Sequence, residues 1–353
     1  MDIAGTSISK QSNPYFIAEA GVNHNGKLEF AKNLVDIAAE AGADAVKFQT
    51  FSADRLVTPD AKKADYQTET TGDGSQYEML KQYELDRKAH ELLIEYCDQK
   101  EITFLSTPFD RQSADMLRSL GVSAIKLGSG ELDNLPLIKH VAEFDLPLIV
   151  STGMGTLEEV TDAYEAIRTV NSNTNVVFLH CTSAYPCSVD DVHLRAMQTI
   201  QDELETPVGY SDHTTLPEMP ALAVAAGACV IEKHFTLDST LTGPDHEASL
   251  EPDELKQAIN LVDVASRSMG TFEKKPTPIE LDNLQMTRKS LHAAFDLPEG
   301  TQIKAEHLDI IRPPDGLSPK KYKEALGSIT ARHLKMGEPI TNEDIQTNTQ
   351  EGK

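Results

Sequence analysis

Residues 102–151 read ITFLSTPFDRQSADMLRSLGVSAIKLGSGELDNLPLIKHVAEFDLPLIVS, and this stretch decides the fold. Short apolar runs at 102–105, 124–127 and 147–150 each lead into polar residues: Ser106 and Thr107, then Ser129 and Glu131, then Ser151 and Thr152. Between the runs, 111–120 and 135–144 carry apolar residues at helical spacing. A strand, a polar cluster and a helix, repeated, make the β/α unit of a parallel sheet.

Outward from this stretch the same phrase recurs. Further apolar runs occupy 15–20, 43–48, 176–179, 207–210 and 229–231. Helical periods occupy 28–40, 87–99, 157–169, 194–203, 217–226 and 252–268. Eight units within about 250 residues predict an α/β fold, a closed (β/α)8 TIM barrel over residues 1–270. A doubly wound open sheet is the structural alternative, disfavoured because no GxGxxG follows the first run. Residues 271–287, with Pro276 and Pro278 in a polar setting, read as a linker. Short apolar pieces alternating with turn signals then predict a small, mostly β domain over 288–346, followed by a polar tail at 347–353.

The chain has 353 residues, 56 acidic against 32 basic, for a formal charge of −24. Such a surface repels nucleic acid and anionic membrane, which excludes sequence-independent binding to either. It also suits a high-salt cytoplasm, an expectation checked by a melting temperature that rises with KCl. An anionic substrate must therefore be attracted locally, by cations placed in a pocket. The four cysteines show no CxxC spacing and read as reduced thiols. The N-terminus lacks the pattern of a signal peptide, and no apolar run approaches the roughly 18 residues of a membrane span. A cytoplasmic enzyme is expected.

In a barrel of this kind, the active site is built where strands end. Lys47 in AVKFQT and Lys126 in IKLGSGE lie inside otherwise apolar strands, and a buried lysine needs an anion. With the hydroxyls of Ser129, Ser151, Thr152 and Ser211 and the amides near Gly128, Gly130 and Gly153, they suit a phosphate and a carboxylate together. His213 in GYSDHT and His234 in IEKHF end the last two strands. Neighbouring strands lie about 4.8 Å apart, so matching positions place two imidazoles on one cation. The carboxylates Glu19, Asp212, Glu232 and Asp245 are expected nearby. The plainer reading is two separately hydrogen-bonded histidines. Two histidines with oxygen ligands and open positions point to a labile divalent metal, Mn²⁺ first and Co²⁺ or Mg²⁺ as alternatives. Cys181, Cys187, Met154 and Met219 read as packing residues.

The motifs IAEAGVNHNG (17–26), AVKFQT (45–50), FLSTPFD (104–110), IKLGSGEL (125–132), STGM (151–154), LHCTSAYP (179–186), GYSDHT (209–214), IEKHFTLD (231–238) and GPDHEASLEP (243–252) together resemble the sialic acid synthase family. The resemblance covers nearly the whole chain, because 288–346 looks like that family's antifreeze-like SAF domain. It implies condensation of phosphoenolpyruvate with an N-acylated, mannosamine-type hexosamine to a nine-carbon 2-keto acid and phosphate, with C–O cleavage. It also implies that Lys47, Lys126, Ser129, Ser151, Ser183 and Ser211 hold phosphoenolpyruvate, and that His213 and His234 hold the metal. Glu19, Gln49, Tyr185, Glu232 and Asp245 would meet the amino sugar. Arg312 of IIRPPDG would reach into the barrel of a partner in a domain-swapped homodimer.

Aldehyde activation by a Lewis acid suits carbon–carbon bond formation. Glu19, Glu131 and Glu232 are the candidates for general base or electrostatic partner of the cationic centre, unranked by sequence. Ser239 and Thr242 stand where relatives often carry a basic residue and a proline, RPPDG replaces a more usual RPG turn, and 71–74 matches only loosely. N-acetylmannosamine and a dideoxy diacetamido sugar both remain as substrates. A metal-dependent aldolase or hydrolase on the same barrel is the alternative enzyme. A non-catalytic carbohydrate or ice-surface binder would have no need of the lysines and histidines.

Overall fold

The computed structural model describes residues 1–9 and 12–346, in two compact units, Met1–Gly270 and Thr271–Lys353. The expected tail at 347–353 lies outside the described residues.

The first unit is a (β/α)8 barrel. Its strands are β1 (Tyr15–Gly21), β2 (Ala45–Thr50), β3 (Thr103–Pro108), β4 (Ile125–Leu127), β5 (Leu148–Ser151), β6 (Val176–Cys181), β7 (Val208–Asp212) and β8 (Val230–His234). Hydrogen-bonded neighbours run β3-β2-β1-β8-β7-β6-β5-β4, every pair parallel, and β4 lies beside β3 to close the ring. The principal outer helices are α1 (Leu28–Ala41), α2 (Arg87–Gln99), α3 (Arg111–Leu120), α4 (Leu135–Ala142), α5 (Leu157–Val170), α6 (Ala196–Leu204), α7 (Met219–Ala225) and α8 (Pro252–Met269). Local chemistry sets their ends. The side chains of Asp86, Asp110 and Thr156 cap α2, α3 and α5, and Gly42 takes the left-handed conformation that ends α1.

The period of two along each strand sorts the side chains into two cores. One face, with Phe16, Ala18, Val46, Phe48, Ile125 and Val150, packs against the helices. The other faces the barrel axis. Low in the barrel this inner face is apolar, with Tyr15, Ile17, Ala45, Leu105, Ala124, Ile149, Val177 and Val230 in one cluster that Ile3 and Ile8 join. Two residues further along the same strands the inner positions become Glu19, Lys47, Lys126, Ser151 and Glu232, all buried. The apolar floor thus ends in a charged layer. Strands β2, β3, β6, β7 and β8 run well beyond their apolar stretches, because inward polar residues take ladder bonds as readily as apolar ones.

Between β2 and α2 the chain forms three short helices, Ala53–Leu56, Asp65–Thr71 and Gln76–Lys81, in addition to those that helical spacing predicts. In the second unit, the stretch read as a linker contains a helix, Pro278–Thr287. It is started by Pro278 and a Thr277–Glu280 capping box and exposes nearly every side chain, so it has none of the apolar face that reveals a helix in sequence. Beyond it, two small antiparallel pairs, Ser290–Ala293 with Leu308–Ile311 and Ile329–Thr330 with Ile345–Gln346, surround a core of Leu291, Leu297, Ile303, Leu334 and Ile340.

Candidate active site

The ends of the barrel strands open into a cavity of about 470 Å³. Glu19, Lys47, Gln49, Lys126 and Ser129 line it from the first half of the barrel, together with Glu131 and Ser151. Ser183, Tyr185, Ser211, His213, Glu232, His234 and Asp245 line it from the second half. These barrel residues, assigned to the site from sequence, are therefore in one place, whereas Thr152 and Asp212 do not line the cavity. Arg312 stands in the other unit, exposed, its Nε donating to the Thr287 carbonyl at 2.9 Å.

Two buried ammonium groups form the base of the cavity. Lys47 Nζ lies 2.8 Å from Glu19 Oε2 and 3.6 Å from Glu232 Oε2, and donates to Thr107 Oγ1 at 3.0 Å. Lys126 Nζ donates to Ser151 Oγ at 2.7 Å and lies 3.6 Å from Glu232 Oε1, which also accepts from Ser211 Oγ at 2.9 Å. Glu232 thus bridges both lysines. Burial pushes the Glu19 carboxyl up to about 7, against the pull of Lys47. Burial acts in the same sense on Glu232, but Lys126 and Lys47 outweigh it and hold the group at about 2. Burial likewise opposes the charge on Lys47, yet Glu19 and Glu232 raise it above the ordinary lysine range, whereas burial wins at Lys126. Two carboxyls with environments that split their proton affinities are the arrangement acid–base catalysis uses. Glu131 lies elsewhere on the wall, held by Asn134 Nδ2 at 2.6 Å.

Ser129 and Ser183 flank a close approach of backbone at Gly153. A Cβ there would fall 2.3 Å from Ser183 Oγ and 2.8 Å from both Ser129 Oγ and Cys181 Sγ, and the Gly153 amide donates to Ser129 Oγ at 3.0 Å. Thr152, expected among the anion-binding hydroxyls, instead donates to the Leu179 carbonyl at 3.1 Å and does not line the cavity, because it alternates with the inward Ser151.

His213 and His234 face one another, ring centroids 5.5 Å apart, with Tyr185 stacked on His213 at 4.2 Å. His213 Nδ1 donates to the Thr182 carbonyl at 2.7 Å, so its proton is on Nδ1 and its Nε2 carries the lone pair. Burial depresses both imidazoles, His213 to about 4, and keeps them neutral. His234 Nδ1 is buried without a hydrogen-bond partner, 3.9 Å from Asp245 Oδ2. Among the described residues no three acidic, histidine or cysteine side chains gather tightly enough to enclose a metal by themselves. Two neutral imidazoles, one with an unsatisfied nitrogen, fit a cation that keeps positions open for water and substrate. Asp212, grouped with the site carboxylates from sequence, points the other way. It sits between the inward Ser211 and His213 and pairs with Lys233 on the outer face.

Sequence reasoning missed two features of this mouth. The first is an apolar wall from the segment between β2 and α2, with Leu56, Met79, Leu80 and Tyr83 lining the cavity. Its signal was the apolar pair Met79 and Leu80 with Tyr83 close behind, Tyr83 standing just past the helix end at Lys81. The second is a clasp between the loops after β1 and β8. Asn23 Nδ2 donates to the Phe235 carbonyl at 2.8 Å and to Ser249 Oγ at 3.0 Å, and Ser249 Oγ donates to the Asp245 carbonyl at 2.5 Å. Asn25 donates to the Thr242 carbonyl at 3.1 Å, and its Oδ1 lies 3.2 Å from His246 Nε2. The loop carrying Asp245 is thereby held against the first strand end.

A barrel whose mouth gathers two buried ammonium groups, split carboxyls and paired neutral imidazoles is that of an enzyme acting on an anionic substrate. Residues 34–274 match the family model described as "NeuB family", and 288–346 the "SAF domain". The chain is 48% identical over 336 residues to the N,N'-diacetyllegionaminic acid synthase of Legionella pneumophila, covering 94% of each. It is 46% identical over 326 residues to the N,N'-diacetyllegionaminic acid synthase of Campylobacter jejuni, covering 92% of this chain and 98% of that protein. The crystal structure of N-acetylneuraminic acid (sialic acid) synthetase from Leptospira borgpetersenii, in complex with citrate, superposes with a TM-score of 0.72 at 33% identity, over 80% of this chain and 94% of that one. The chain belongs to the NeuB family of sialic acid synthases, transferases that here carry a C-terminal SAF domain.

Proposed function

We propose that this enzyme condenses phosphoenolpyruvate with the open-chain aldehyde of an N-acylated, mannosamine-type hexosamine, giving a nine-carbon 2-keto acid and phosphate. Of the two product types, N,N'-diacetyllegionaminate is favoured over N-acetylneuraminate. The names of the relatives at 48% and 46% identity support that choice. So does the apolar wall of Leu56, Met79, Leu80 and Tyr83, which suits a deoxygenated sugar bearing acetamido methyl groups. The observation that carries the reading is the pair of buried lysines bridged by Glu232 at 3.6 Å from each, a site for an anion with two charged ends.

In this reading Lys47 and Lys126 bind the phosphate and carboxylate, with Ser129, Ser151, Ser183 and Ser211 adding hydroxyl donors. C3 of the enol attacks the aldehyde carbon, the aldehyde oxygen takes a proton, and positive charge develops at C2. Glu232, ionised between its lysines, stabilises that charge. Glu19 holds or releases the proton, and water adds at C2. The resulting tetrahedral centre expels phosphate by C–O cleavage. Gln49, Tyr185 and Asp245 orient the sugar. His213 and His234 would hold a divalent cation, Mn²⁺ before Co²⁺ or Mg²⁺, which when bound supplies Lewis-acid polarisation of the aldehyde.

Arg312 of a second copy would complete the site in a domain-swapped homodimer, a reading supported by its exposure. A cytoplasmic location fits the four buried cysteines, none of them in a disulfide among the described residues, where also no helix is long and apolar enough to cross a membrane. The test is phosphate release with phosphoenolpyruvate and a panel of N-acyl hexosamines, with and without chelator. Phosphate released only when both substrates are present supports the reading, and bridging ¹⁸O appearing in the phosphate establishes C–O cleavage. Turnover of pyruvate without phosphate release would assign a metal-dependent aldolase instead.

A further inference from the structure

We propose that the buried ion pair of Lys233 and Asp212 is a positioning device. It fixes His213 and His234 at the separation a shared cation requires, an inference that rests on the metal reading above. Neither side chain has any exposed surface, and neither enters the cavity. Lys233 and Asp212 are register partners on β8 and β7, on the outer face of the barrel wall, and each immediately precedes one of the two histidines in sequence.

The pair is fully satisfied. Lys233 Nζ donates to Asp212 Oδ2 at 2.6 Å, to the Thr214 carbonyl, and to Thr214 Oγ1 at 3.4 Å. Asp212 Oδ1 accepts from the Thr214 amide at 2.9 Å and from Tyr210 Oη at 3.4 Å. One ammonium therefore grips the chain on both sides of His213, while its own backbone leads directly into His234. Replacing a buried ion pair by apolar groups often costs no stability, so stability alone does not account for this one. Geometry does. His213 has an anchor of its own in the Thr182 carbonyl at 2.7 Å, but His234 Nδ1 has no hydrogen-bond partner, and the strand beneath it must set its direction.

The variant D212N/K233M removes both charges while keeping an acceptor for the Thr214 amide, and K233R restores the cation. Mn²⁺ affinity is read by electron paramagnetic resonance of the free ion without substrates, with thermal melts as the folding control. The folded double variant should bind Mn²⁺ about tenfold or more weakly, with the phosphoenolpyruvate KM little changed and K233R close to wild type. Wild-type Mn²⁺ affinity in the folded double variant overturns the inference. If the double variant does not fold, D212N alone serves: weaker Mn²⁺ binding supports the inference and unchanged binding overturns it. A wild-type protein that binds no Mn²⁺ overturns the metal reading, and this inference with it.

Discussion

The Glu19 carboxyl lies 2.8 Å from the Lys47 ammonium, both side chains almost wholly buried, yet burial keeps its proton affinity near neutrality, at about 7. Glu19, Glu232, Lys47 and Lys126 are formally balanced in charge. A phosphate of about two negative charges together with a carboxylate upsets that balance, and Glu19 is the group able to respond. Binding of phosphoenolpyruvate to chelator-treated enzyme should therefore take up close to one proton near pH 8, where free Glu19 is ionised. The uptake should shrink toward zero near pH 6, where Glu19 already carries the proton. Calorimetry in buffers of different ionisation enthalpy measures it, and an uptake independent of pH would remove Glu19 as the proton acceptor.

The three candidate glutamates separate by environment. Glu19→Gln should lower kcat by about 10²–10⁴ while phosphoenolpyruvate still binds. Glu131→Gln should leave kcat near wild type, because Glu131 is tied to Asn134, whereas the ion pairs of Lys47 and Lys126 among the described residues are with Glu19 and Glu232. Steady-state kinetics with both substrates varied makes the comparison, and an unimpaired E19Q enzyme would exclude Glu19 from the mechanism.

Gly153 has no room for a methyl group. Gly153→Ala should drive Ser129 and Ser183 from their positions and raise the phosphoenolpyruvate KM by about tenfold or more, with a smaller effect on the hexosamine KM. Equal changes in both constants would show a general distortion rather than damage to one subsite.

The clasp between the first and last strand-end loops predicts the opposite split. Asn25 sits at φ 50°, so Asn25→Gly removes the side chain without straining the backbone. Loss of its contacts with Thr242 and His246 should release the Asp245 loop and raise the hexosamine KM about tenfold, leaving the phosphoenolpyruvate KM nearly unchanged. An unchanged hexosamine KM would mean that the loop holds its place without Asn25.

Much of the barrel was legible because its signals are local. Four-residue apolar runs and helical spacing appear within one unit, and the repetition of that unit implies closure. Strand-end logic then selected Lys47, Lys126, Ser151, Ser211, His213 and Glu232 correctly as residues of one mouth. Asp212 was misread although the signal existed: if Ser211 and His213 face inward, strand alternation turns Asp212 outward, toward Lys233. The helix Pro278–Thr287 escaped because it buries almost nothing, and amphipathic periodicity is the imprint of burial.

From sequence alone came the order of the barrel's strands and principal outer helices and the resemblance to the family, since both depend on neighbours along the chain or on the residues themselves. Only the folded chain decided that Asn25 reaches Thr242 and His246, more than 200 residues away. Only the fold, too, leaves Glu19 able to take up a proton while Glu232 stays ionised. Both follow from distance through space, and the charge state of a carboxyl depends on the water it loses and the cations it meets, neither of which is written along the chain.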